Sequence, residues 1–100
     1  MESNTTQEQT NQNIELSEND YIAFGFNYNG GEPSEILVSN ITKVYSDKVL
    51  VHFLYGHHSL GEFIYKKDII AIGNNNSSGK IKGYRGNFEI LLPNHPLLEI

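Results

Sequence analysis

The strongest fold signal in this chain is Lys48–Tyr55, which reads Lys-Val-Leu-Val-His-Phe-Leu-Tyr. Its side chains alternate in two sets, one holding Val49, Val51, Phe53 and Tyr55, the other Leu50, His52 and Leu54. A period of two residues is typical of a β-strand, in which successive side chains point to opposite faces of the sheet. We therefore predict a strand over these eight residues, with the valine-containing set facing the core.

Similar alternation extends outward from this strand in both directions. Turn-forming residues such as Asn29-Gly30-Gly31 separate the apolar stretches. A change of phase near Ser39-Asn40 predicts a bulge or bend in one of them. Residues 68–72 fit either a strand or a 3₁₀ turn that leads into one. No stretch of ten residues follows the helical period of 3.6, so we predict an all-β domain. The other predicted strands are 21–28, 35–45, 60–66 and 88–92, and residues 80–85 could form a further strand that Gly83 weakens.

This order of elements resembles the Tudor and SH3-like small barrels over residues 21–72. The resemblance is carried by Val49-x-Val51-x-Phe53-x-Tyr55-Gly56, followed by Glu62-Phe63-Ile64 and Asp68-Ile69-Ile70. It implies an SH3-like or Tudor-like barrel of about five strands, with a long, bent second strand. Residues from about 80 to 100 lie beyond the match and are expected to form a C-terminal β extension or arm.

Composition divides the chain into a tail and one domain. Residues 1–17 are polar and acidic, and we expect them to be disordered because they cannot bury enough apolar surface to order themselves. Residues 18–100 are expected to form one small domain. The sequence has no cysteine, no signal-peptide pattern and no membrane-length apolar run. We therefore expect a cytoplasmic protein without a membrane partner.

The aromatic residues are the main candidates for a binding surface. We expect Phe53 and Phe63 to fill the core of a tryptophan-free barrel. Tyrosines near strand ends can instead hold a cation, stack on a base or bury a peptide side chain. The sequence therefore predicts a non-catalytic binding or adaptor module that engages a protein segment or a partner subunit through an aromatic-lined groove. The candidate residues are Tyr28, Tyr45, Tyr55 and Tyr65.

Two alternatives follow from charge. The net charge is −5, yet residues 41–86 hold all seven Lys and Arg against three Asp and Glu. A nucleic-acid-binding module would use this basic segment for phosphates and an aromatic ring for a base. A small accessory or inhibitor protein would instead place the acidic first 40 residues in a partner's basic site. The candidate nucleic-acid contacts are Lys66, Lys67, Lys80, Lys82, Tyr84 and Arg85.

The sequence gives little support for catalysis or metal binding. The chain has no nucleophile elbow and no phosphate-binding glycine loop, so we expect neither an enzyme nor a cofactor. The pair His57-His58 supplies at most two ligands, whereas zinc needs three or four, so no metal is expected. The apolar C-terminus, which includes Leu91-Leu92 and Leu97-Leu98, must either pack back on the domain or meet another subunit in a homo-oligomer.

Overall fold

A computed structural model of the chain describes residues 15–73 and 78–98. They form one antiparallel sheet of six strands, in the order β4-β3-β2-β1-β5-β6, so the predicted all-β class is confirmed. A 3₁₀ turn over Lys66–Asp68 leads into β5, which decides between the two interpretations of residues 68–72. The strands are β1 (Tyr21–Phe26), β2 (Glu35–Val44), β3 (Lys48–Tyr55), β4 (His58–Tyr65), β5 (Ile69–Gly73) and β6 (Phe88–Ile90).

Strand β2 is the element that folds the sheet over itself. Its first part, residues 35–40, pairs with β1, whereas its second part, from Ile41 onward, pairs with β3. The register shifts between Ile41 and Lys43, close to the change of phase in the sequence. An irregularity of this kind bends a strand and increases its twist. As a result, β3 and β4 turn back toward β1 and β5.

The main core lies inside this folded sheet. The Phe53 ring of β3 packs against Phe24 and Phe26 of β1, with ring centroids 5.7 and 5.3 Å apart. Val49 and Val51 are fully buried, as the alternation in β3 predicts. The expectation for Phe63 is wrong, because its side chain is 54% exposed. Ile64 is the residue of β4 that faces the core, and its neighbour Phe63 must therefore face outward.

A second core lies on the opposite face of β1 and β5, under the C-terminal arm of residues 79–98. Ala23, Ile70 and Ala71 are completely buried there against Ile81 and Phe88 of the arm. The partly buried residues that complete this core include Leu92 and Leu98. The apolar C-terminal residues that the structure describes therefore pack back on their own domain, which is one of the two alternatives that the sequence left open.

The arm holds less strand than its sequence predicts. Only an isolated bridge from Gly79 to Phe88 stands beside β6, and residues 80–85 form no strand. Gly83 and Gly86 have φ values of +90° and +98°, a left-handed conformation that interrupts an extended chain. The predicted strand at 80–85 is therefore wrong, whereas 88–92 contains β6.

Most of the predicted disordered tail, up to residue 14, lies outside the described residues. The tail residue Leu16 packs partly against the main core, and the Ser17 amide donates to the Asp20 carboxylate at 2.9 Å. Within residues 15–73 and 78–98, no helix has the length and hydrophobicity needed to cross a bilayer.

Candidate functional site

The outermost strand β4 has one edge that no other described strand covers. At its end the Lys66 amide donates to the Asp47 carbonyl at 2.9 Å, which fixes the pattern of bonds to β3. In an antiparallel pair, every second residue turns its N–H and C=O toward the partner strand. Residues 60, 62 and 64 therefore bond to β3. The N–H and C=O groups of Ser59, Gly61, Phe63 and Tyr65 face the uncovered edge.

A groove runs along this edge, and we call it the β4 groove. It consists of two depressions of about 330 and 430 Å³, which share Gly25, Pro33 and Glu62 in their walls. The first depression is also lined by Tyr28 and Leu60. The second is also lined by Phe63, Ile64, Tyr65, Asp68, Leu92 and His95.

Gly25 is the site of the closest packing in the groove wall. A β-carbon at this position would lie 2.7 Å from the Pro33 Cβ and 3.4 Å from a Leu97 methyl group, so no larger residue fits without displacing them. Pro33 belongs to the loop between β1 and β2, whereas Leu97 belongs to the C-terminal arm. The β1–β2 loop and the C-terminal arm thus meet over one glycine, and Gly25 and Pro33 both line the groove.

Tyr28 stands at one end of the groove. Its ring stacks on Tyr55 at a centroid distance of 5.4 Å and an angle of 12°, and it lies 5.4 Å from the His58 ring. The Tyr55 hydroxyl donates to the Glu35 carboxylate, and this hydrogen bond raises the pKa of Tyr55 above its usual value of 10.0. Because the two tyrosine rings are in face-to-face contact, they form a flat platform rather than a cage for a cation.

Tyr65 and Phe63 stand at the other end, around the ammonium group of Lys48. The Lys48 Nζ lies 5.5 Å from the Phe63 ring centroid, 5.7 Å from Tyr45 and 5.9 Å from Tyr65. Tyr45 also packs edge-on against Phe63 at 5.8 Å. Contacts at this distance are favourable cation–π interactions. The protein's own lysine therefore occupies the space that an external cation would need among these three rings.

The four candidate tyrosines do not form one cluster. Tyr55 ends β3 and stacks on Tyr28, whereas the Tyr45 amide donates to the Lys48 carbonyl at the start of β3, which lies seven residues or about 23 Å from Tyr55 along the strand. Only Tyr28 and Tyr65 line the β4 groove. Sequence reasoning missed Pro33, Glu62 and His95 as groove residues. The alternation in β4 shows that Phe63 and Ile64 lie on opposite faces, but it does not indicate which of the two faces is buried.

The six basic-segment candidates differ in exposure and bonding. Lys66 is only 9% exposed, and Lys80 donates to the Asn87 side chain at 2.6 Å. The half-buried Tyr84 donates its hydroxyl to the Ile36 carbonyl at 3.0 Å. Burial, followed by the nearby Glu35 charge, raises the pKa of Tyr84. Lys67, Lys82 and Arg85 are exposed.

The charged side chains that line the β4 groove are Glu62 and Asp68, together with the titratable His95. Within the described part of the chain, neither carboxylate has a hydrogen bond or an ion pair, in contrast to Asp47, which lies 3.9 Å from Lys48. Glu62 is half-buried on the core-facing side of β4. A half-buried carboxylate without a partner favours a cationic group beside it.

The groove therefore combines an uncovered strand edge, aromatic residues at both ends and two acidic side chains. This arrangement suits the binding of an extended polymer. Comparisons of the chain with protein-family models, with curated proteins and with solved structures found no match. The roles of the groove residues consequently rest on the geometry and chemistry of the groove itself.

Proposed function

We propose that this protein is a non-catalytic binding module that holds an extended segment of a partner protein in the β4 groove. The observation that carries the proposal is the continuity of the groove along an uncovered strand edge. Seven residues of β4, from Ser59 to Tyr65, give it a length of about 20 Å. That length fits an extended chain better than a compact small molecule.

The layout of the strands supports a more specific proposal about the fold. The order β4-β3-β2-β1-β5, the division of β2 between two partners and the 3₁₀ turn before β5 are all features expected of an SH3-like barrel. We propose that β1–β5 form such a barrel, left open along β4. The β4 groove is then the gap at which the barrel fails to close, and an added strand would fill it.

The side chains at the ends of the groove also support binding rather than chemistry. Tyr28 and Tyr65 are each 48% exposed, although their rings are large and apolar. Tyrosine is enriched at protein interfaces because it offers a large rigid surface and a polar tip. Exposed aromatic residues at both ends of one groove would anchor a bound segment at two points.

Selection from a library of random twelve-residue peptides displayed on phage tests this proposal. We expect peptides that bind the intact chain and lose roughly tenfold or more in affinity when Tyr28 or Tyr65 is replaced by alanine. The matched control is Tyr21→Ala, because Tyr21 is similarly exposed, at 54%, but lies outside the groove. Failure to select any peptide, or equal losses for all three variants, would refute the proposal.

Nucleic-acid binding remains the alternative proposal, with the exposed Lys67, Lys82 and Arg85 as its contacts to phosphate. Binding of a twelve-nucleotide single strand should then weaken steeply with salt and fall when these residues are neutralised. Peptide binding in the groove should depend on the tyrosines instead. The two proposals therefore differ in which variants abolish binding.

A further inference from the structure

We infer that the β4 groove binds its partner by strand addition, and that the bound segment carries a Lys or Arg flanked by apolar residues at positions two before and two after it. This inference rests on the proposed function and specifies its ligand. It follows from the backbone of β4, from the side chains on its inner face and from the unpartnered acids.

The backbone of β4 provides the first element of recognition. Ser59, Gly61, Phe63 and Tyr65 direct their N–H and C=O groups to the uncovered edge, as the bond from Lys66 to Asp47 establishes. An extended segment laid along this edge would satisfy these groups in a regular ladder. Binding of this kind is largely independent of the ligand's side chains, which then decide specificity.

Side chains on the inner face of β4 define the pattern of the ligand. Leu60, Glu62 and Ile64 share this face, and all three line the groove. In an added strand, the residue opposite each of them would have its β-carbon about 5 Å away. The ligand residue opposite Glu62 should therefore be basic, and those opposite Leu60 and Ile64 should be apolar. Asp68 extends the acidic character toward the Tyr65 end.

A second copy of this chain fits the same edge poorly. Two β4 strands placed antiparallel about the centre of Ser59–Tyr65 would put Glu62 directly opposite Glu62. Like charges directly opposite each other destabilise a sheet. Charge complementarity therefore favours a basic segment of a different protein over a β4–β4 dimer.

The test uses the intact chain and the same random twelve-residue phage library. We expect the selected peptides to be enriched in the pattern apolar-x-Lys/Arg-x-apolar. For a synthetic peptide of that pattern, Glu62→Gln should weaken binding about three- to fivefold, the upper range for a partly exposed ion pair. Glu89→Gln is the matched control, because Glu89 is exposed on β6, away from the groove.

Methylation of the peptide's backbone nitrogens tests strand addition separately. Methyl groups on alternate nitrogens remove either the set of N–H groups that faces β4 or the set that faces away. We expect methylation of one set to abolish binding and methylation of the other to leave the affinity within about twofold, because only one set of N–H groups bonds to the edge. In the bound protein, hydrogen exchange should slow at the amides of Phe63 and Tyr65, with little change at Glu62 and Ile64, which already bond to β3.

The outcomes distinguish the inference from the proposed function. Peptides that depend on Tyr28 and Tyr65, but not on Glu62 or on one set of backbone nitrogens, would overturn strand addition and leave the binding module standing. Slow exchange at Phe63 and Tyr65 without peptide, together with dimerisation in sedimentation, would assign the edge to a second copy and overturn the inference. If the library yields no binder, both the inference and the proposed function are refuted.

Discussion

The two edges of the sheet differ in length and in what covers them. Strand β6 is three residues long, and its outer side is covered where Phe88 and Gly79 exchange two backbone hydrogen bonds of 2.8 and 3.1 Å. Strand β4 is eight residues long, and no described strand covers its outer side. Uncovered edges invite pairing with other chains, and natural proteins usually shorten or cover them.

The difference indicates that the β6 edge contributes to stability and that the β4 edge is available for binding. The arm that covers β6 also buries the outer face of β1 and β5, so the β6 edge belongs to a core. The β4 edge carries the exposed side chains of Phe63 and Tyr65. We therefore expect substitutions near β6 to change the free energy of unfolding, and those near β4 to change binding.

The largest expected effect is the loss of the Phe88 side chain, which is 4% exposed and anchors the arm. Phe88→Ala should lower the free energy of unfolding by about 3–5 kcal/mol, through lost burial and the cavity that remains. Urea unfolding followed by circular dichroism measures this change.

The matched control on the other edge is Phe63→Ala. Because Phe63 is more than half exposed, we expect its replacement to lower the free energy of unfolding by only about 0.5–1.5 kcal/mol, through its contacts with Lys48 and Tyr45. Equal losses for the two variants would show that the β4 edge is also part of a core. The contrast between the edges would then be wrong.

The contrast also shows how far the sequence can be interpreted. Alternation in Lys48–Tyr55 predicts the strand and its buried face, because one set contains Val49 and Val51 and the other contains His52. In β4 each set mixes apolar and polar residues, so alternation identifies the residues that share a face but cannot decide which face is buried. This ambiguity explains why Phe63 was wrongly expected in the core.

The groove itself could not be predicted from sequence patterns. Its walls include Pro33, which packs closely over Gly25, and Leu92 and His95, which return to β4 from the far end of the chain. Such contacts depend on the folding of the C-terminal arm. The strand considered at 80–85 does not form, since the left-handed Gly83 interrupts the extended chain there.

A methyl group at Gly25 should give the next largest effect. Gly25→Ala places a β-carbon 2.7 Å from the Pro33 Cβ, so the loop that carries Pro33, a part of the groove wall, must move. We expect a loss of about 1–3 kcal/mol in the free energy of unfolding, the usual cost of overpacking. Peptide binding in the β4 groove should weaken in the same variant, as measured by titration calorimetry.

Gly61→Ala is the appropriate control for this change, because Gly61 lies on β4 itself. Its β-carbon would meet only the end of the His52 ring, at 3.0 Å, and that side chain is exposed and can move. We expect a change in stability of less than about 0.5 kcal/mol. If Gly61→Ala proved as costly as Gly25→Ala, the close approach of Pro33 would not be what forms the groove.

The smallest expected effect concerns the hydrogen bond that ties the arm to β2. The Tyr84 hydroxyl donates to the Ile36 carbonyl at 3.0 Å, so Tyr84→Phe should cost about 1 kcal/mol at neutral pH. Tyr21→Phe is the control, since no hydrogen bond reaches the Tyr21 hydroxyl from any described residue, and we expect it to change stability by less than about 0.5 kcal/mol.

The difference between wild type and Tyr84→Phe should also depend on pH. Burial, followed by the Glu35 charge, raises the pKa of Tyr84 in the folded state above 10.0, so the folded protein keeps a proton that the unfolded chain releases. This contribution to stability is complete below pH 10 and is lost as the pH rises through the raised pKa. Urea unfolding between pH 8 and pH 11 should therefore show the wild type losing stability faster than Tyr84→Phe. Parallel pH profiles would mean that the Tyr84 hydroxyl is in water and that the arm covers β2 without this attachment.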